Sequence, residues 1–133
     1  MQDKLSDRLV DQRVRTRIME AVSTLADGDE GVRRVWPDEF FESFYDWIPH
    51  RGENRGIRAN SAMTADEEAL LLNLSSILDD ACDATPRVNM TAEEFIATGW
   101  PKRIQPVALK ALNLMRERGR FSEEKEEDKP SIT

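Results

Sequence analysis

The sequence predicts an all-α protein: an irregular bundle of about four to five helices with one long arginine-containing loop and an acidic C-terminal tail. Three observations carry that reading. Apolar residues recur at three- and four-residue steps through most of the chain. Two capping signals, Thr64 to Glu67 and Thr91 to Glu94, each stand at the head of an apolar segment. The adjacent aromatic pairs Phe40-Phe41 and Phe44-Tyr45 would be split between opposite faces of a strand, whereas a helix keeps them together. Strand content is expected to be close to nil. Residues 1–121 are read as a single helical domain and 122–133 as an acidic tail, flexible or lightly docked.

Taken in order, the first helix covers Ser6 to Ala26. Leu9, Val10, Val14, Ile18, Val22 and Leu25 form its apolar stripe. Arg13, Arg15 and Arg17 are placed on the remaining, outward surface. Gly28 ends the helix. Asp27 to Gly31 is read as a turn; it lacks the regularly spaced carboxylates and closing glutamate of a calcium loop. Trp36-Pro37-Asp38 then signals a second helix start, and Pro49 stops it. Between them Phe40, Phe41, Phe44, Tyr45, Trp47 and Ile48 fall within an arc of about 160°, with Glu39, Glu42 and Asp46 together on the opposite side.

The segment at about 49–63 reads as an irregular loop. It holds the only histidine, His50, with Arg51, Arg55, Arg58 and Asn60, and two glycines that permit sharp turns. The capped helix that follows runs from Thr64 to about Cys82, with Leu70, Leu71, Leu74, Ile77, Leu78 and Ala81 on one face and Leu72 on the other. Apolar side chains on both sides predict a central position. Cys82, the only cysteine, is read as a small packing residue. Residues 83–89 form a connector containing Pro86, and a short capped helix follows to Thr98-Gly99. The last regular helix is expected from Gln105 to Arg118, with Pro106 in its first turn and Gly119 as its stop. Phe121 anchors the start of the tail, which holds five acidic residues against two lysines. The expected core comprises Val14, Ile18, Val22, Phe40, Phe44, Trp47, Leu70, Leu74, Ile77, Val107, Leu112 and Met115.

Composition narrows the functional classes. The net charge is −7, which disfavours general binding to phosphate backbones and suits a basic protein partner. No P-loop, dinucleotide fingerprint, nucleophile elbow or HExxH motif occurs. A single histidine and a single cysteine exclude multi-histidine and cysteine-cluster metal sites and an intrachain disulfide, so neither metal nor cofactor is expected. The longest strictly apolar run, Ala69 to Leu72, is far short of the ~20 residues of a membrane span. The first residues lack the apolar core of a secretion signal, and a cytoplasmic location is expected.

Two functional readings follow. The first is a non-enzymatic, acidic protein-interaction module of the inhibitor, antitoxin, immunity or adaptor type, binding a basic protein, with homodimerisation as a further expectation. The alternative is an anion-binding or catalytic pocket in which His50, Arg51, Arg55, Arg58 and Asn60 hold a phosphate or carboxylate beside an aromatic wall of Trp36, Tyr45 and Trp47. In that alternative His50 would serve as a general acid or base. The acidic face Glu39, Glu42 and Asp46 needs an offset in either case, because like charges four residues apart on a helix repel.

Overall fold

A computed structural model describes residues 5–86 and 89–132. The first residues, read above for a secretion signal, and the connector at 83–89 fall partly outside these residues. Among the described residues there are six helices and no strand: α1 (Asp7–Ala26), α2 (Asp29–Val35), α3 (Glu39–Tyr45), α4 (Ala65–Ala84), α5 (Ala92–Ala97) and α6 (Trp100–Arg118). None is long and apolar enough to cross a membrane.

The helix starts obey local chemistry. Ser6, Thr64 and Thr91 each accept a backbone N–H three residues on through the side-chain oxygen. At Thr64 and Thr91 the glutamate three residues later returns a bond to the cap's own N–H, completing both capping boxes. Three boundaries differ from expectation. The acidic stretch after Gly28 is not only a turn: Asp29 opens α2, with Asp29 and Glu30 in its first turn and Arg33 and Arg34 in its last, the arrangement the helix dipole favours. The aromatic helix closes at Tyr45, and Ile48 follows in a turn, buried all the same. The last helix begins at Trp100, not Gln105. Pro101 occupies its first turn, and Pro106 lies inside it on an exposed position, where its missing N–H leaves one carbonyl of the preceding turn without a helical donor.

The core forms where α1, α4 and α6 meet α3 and α5. Ile18, Val22, Phe40, Phe44, Leu74, Leu112 and Met115 are buried as expected, joined by Leu25, Leu71, Leu78, Phe95 and Ile104. Val14, Trp47, Leu70, Ile77 and Val107 are packed against it but only part-buried. α6 packs against both α1 and α4, and α1 against α3 and α2. Thus the helix pair at the centre is α1 and α6, not α4. Leu72, the residue that suggested a central α4, stays 44% exposed.

The larger correction concerns Arg15. It is not on the outward surface of α1; it is fully buried, and its guanidinium is saturated by the protein. Its Nη2 donates to Glu67 Oε2 (2.8 Å) and the Met115 carbonyl (3.0 Å), and its Nη1 to the Gly119 carbonyl (2.8 Å). Glu67, 1% exposed, also accepts from Arg118 Nη2 at 2.8 Å and from the Thr64 N–H at 3.0 Å. One carboxylate therefore closes the first turn of α4 and ties α1 to α6. Burial pushes the Glu67 carboxyl up, but hydrogen bonds from Arg118, Arg15 and Thr64 outweigh it and hold the group below its ordinary range. The buried ring of Phe121 lies beside three guanidinium groups: the Arg8, Arg15 and Arg118 carbons are 4.9, 5.5 and 5.6 Å from its centroid.

Residues 122–132 lie back along α1. Phe121 holds their start, and backbone bonds between Arg120 and Ile132 hold their end. The turn depends on Gly119 at φ +89°, where a Cβ would stand 2.6 Å from the Ile132 carbonyl oxygen.

Candidate functional site

Loop 49–63 fastens onto the second half of α4. The Pro49 carbonyl accepts from the Ser75 hydroxyl (2.6 Å). The His50 ring stacks on Tyr45 with centroids 3.7 Å apart. Its Nδ1 lies 2.7 Å from Asp79 Oδ1, which also accepts from the Tyr45 hydroxyl at 2.5 Å. The second oxygen of Asp79 accepts from the Arg51 N–H at 2.9 Å. The Arg51 guanidinium reaches Asp80 (2.5 Å), the Ser76 carbonyl (3.1 Å) and Asp83 (3.3 Å).

Asp79 is buried, and desolvation alone would raise its carboxyl; the bonds from Tyr45, the Arg51 N–H and His50 reverse this and hold it below the usual range. Burial, then the bond to Asp79, pushes the Tyr45 phenol up, so it stays a neutral donor. Burial and the nearby Asp79 and Asp83 also raise the Cys82 thiol, which disfavours the thiolate a nucleophile needs. The His50–Asp79 couple therefore has an oriented imidazole, but its hydroxyl and thiol neighbours are committed or protonated. The cluster ties the loop to α4 as a clasp.

The remaining loop residues go elsewhere. Arg55 pairs with Glu53 at 2.5 Å. Arg58 is exposed and, among the described residues, makes no hydrogen bond or ion pair. Asn60 bonds the Asp11 carbonyl (3.0 Å) and the Ala62 N–H (2.8 Å), pinning the loop's end to α1. His50, Arg51, Arg55, Arg58 and Asn60 do not line a common cavity: none borders any of the three principal surface grooves. Nor do the aromatics form one wall. Trp36 stacks on Phe95 (4.6 Å) and donates its indole N–H to the Met90 carbonyl (2.8 Å), while Tyr45 belongs to the His50 stack. Trp47 alone borders a groove.

That groove, about 260 Å³, runs between α1 and α3 and is lined by Arg17, Glu20, Glu39, Ser43, Asp46 and Trp47, among others. Glu39, Glu42 and Asp46 are exposed and, among the described residues, make no ion pair with the arginine loop or any other cation. The loop arginine goes instead to Asp79, Asp80 and Asp83. The sequence carried a usable signal for that choice: three acids at the C-terminal end of a helix oppose its dipole and call for a nearby cation. Gln12 and Arg15 had no comparable signal, because each reads as an ordinary helix residue, and the capping signal at Glu67 gave no sign of its partners on α1 and α6. Among the described residues no group of three His, Cys, Asp or Glu is arranged to hold a metal ion.

The chain matches no known protein-family model, no curated protein and no solved structure.

Proposed function

We propose that this is an acidic, non-enzymatic protein-interaction module of the inhibitor, antitoxin, immunity or adaptor type. It acts in the cytoplasm and takes a basic segment of a protein partner along α3. The observation that carries this reading is that Glu39, Glu42 and Asp46 are unpaired among the described residues, with Glu39 and Asp46 lining one groove together with the part-exposed indole of Trp47. The acidic groups that the fold needs are neutralised internally, as at Glu67 and Asp79, so the open charges of α3 are left available. Like charges on one short helix repel, and an arriving lysine or arginine relieves that repulsion while the indole supplies an apolar or cation–π contact. Such a surface steers encounter and selects the partner's charge.

The test compares affinity capture from native extract at low ionic strength by the wild-type chain and by the triple variant E39K/E42K/D46K. A protein held by the wild type, released by salt and reduced more than about tenfold with the variant supports the reading. Equal recovery by both, or no recovery by the wild type, overturns it.

A further inference from the structure

A broad band of α1 holds a turn-forming peptide by its main chain, and the chain's own tail sits on it. Gln12, completely buried, commits both ends of its amide to that tail: Nε2 donates to the carbonyls of Ser122 (2.8 Å) and Lys125 (2.9 Å), and Oε1 accepts from the Glu127 N–H (2.8 Å). Arg8 donates twice to the Glu127 carbonyl, at 2.7 and 3.1 Å, and Arg13 Nε donates to the Glu123 carbonyl at 2.7 Å. Only one of these contacts reads a tail side chain: Arg17 pairs with the Glu123 carboxylate. Positions 8, 12, 13 and 17 form a broad stripe, spread over about 180° of the helix surface, which the tail crosses. The tail presents a compact turn to it, with the Ser122 hydroxyl accepting from the N–H groups of Glu124 and Lys125. Glu124, Lys125, Glu126 and Asp128 point outward, exposed.

We infer that this stripe is a docking site for an acidic peptide segment of a partner protein, and that residues 122–127 occupy it as an intramolecular stand-in that must be displaced. This inference shares Arg17 with the α3 groove but does not rest on the α3 reading, since its main-chain contacts come from Gln12, Arg13 and Arg8, none of which borders that groove. Main-chain recognition makes the occupant replaceable, because any segment able to form the same turn offers the same carbonyls. The single charge contact and the arginines around it set the requirement for acid. Gln12 cannot be left bare, since a buried amide without partners is costly, so the site exchanges occupants and does not stand empty. A cleft of about 500 Å³ beside the tail, between Arg8, Ser61 and residues 126–128, gives an incoming segment its first foothold. Tethering keeps the local concentration of the tail high, so a peptide added in trans competes poorly until the tail's grip is weakened.

The test uses the full chain and a fluorescent peptide of residues 122–130, followed by anisotropy. E123K, which reverses the charge facing Arg17 at a part-exposed position, is expected to bind the peptide at least tenfold more tightly than wild type. R17E/E123K restores an internal pair of opposite sign and is expected to return affinity to the wild-type level. Q12A placed in the E123K chain is expected to lose the gain. Equal binding by wild type and E123K overturns the inference. So does a gain in E123K that survives both R17E and Q12A. Because R17E does not touch the buried amide, a Q12A chain that fails to fold leaves the charge-swap arm to decide.

Discussion

Two clusters in this protein use the same chemistry, an arginine held by carboxylates, under opposite conditions. In the hub, Arg15 and Glu67 are both nearly inaccessible and Arg118 closes the group from the side. In the clasp, Arg51 is 44% exposed and its partners Asp80 and Asp83 more so, with only Asp79 buried. Water competes for every bond of Arg51 and for almost none of Arg15. The hub therefore has strong mutual attraction set against heavy desolvation, while the clasp has little of either. The lesson is that a salt bridge reports its surroundings more than its distance: 2.8 Å in the hub and 2.5 Å in the clasp describe very different dependencies.

The largest effect should come from breaking the hub on one side. Glu67→Ala leaves a buried guanidinium uncompensated and also removes the capping-box bond of α4; it should cost about 3–5 kcal/mol in urea unfolding. The apolar triple replacement R15M/E67L/R118M removes all the charges together and should be far milder, near neutral. If the single and triple variants are equally damaging, the hub acts through shape and not through charge.

Acid is the next probe. The carboxyls of Glu67 and Asp79 are both held below their ordinary range in the fold, so each binds a proton more readily when unfolded. Their stabilisation is thus complete above the unfolded values near about pH 4 and is lost as the pH falls through the lower folded values. Wild-type stability should drop along that limb, and Glu67→Gln should flatten part of it when unfolding is followed from about pH 6 to 2. An unchanged acid limb in the variant would remove Glu67 from the account.

The clasp should yield the smallest changes. Tyr45→Phe loses a hydrogen bond to a buried carboxylate and should cost about 1–2 kcal/mol. Arg51→Ala should produce only a slight shift at low salt and none at high salt, since its guanidinium is open to solvent. A salt-independent loss with Arg51→Ala would show the loop to be a structural member of the same rank as the hub.

This comparison also explains what the sequence made legible. Ser6, Thr64 and Thr91 are caps whose partners lie three residues away, so local reading finds them. Phe40, Phe44, Leu74 and Met115 follow from periodicity, because an amphipathic helix points its stripe inward whatever its neighbours are. Arg15 failed that logic. Between Arg13 and Arg17 it reads as one of three surface cations, and only Glu67, 52 positions away, and the carbonyls of Met115 and Gly119 make its burial tolerable. The candidate site was half legible. The acidic α3 face stands where periodicity put it, exposed. The arginine loop dispersed because its partners sit on α4, on α1 and within itself, information that no single segment contains.

Glu67 draws these strands together. The carboxylate that starts one helix also joins two others distant in sequence, so early and late steps of assembly converge on a single group. A chain wired this way has no intermediate grade of damage at that point: α4 cannot fray at its origin without loosening the seam between the first and last helices, and the domain is expected to yield there as one unit.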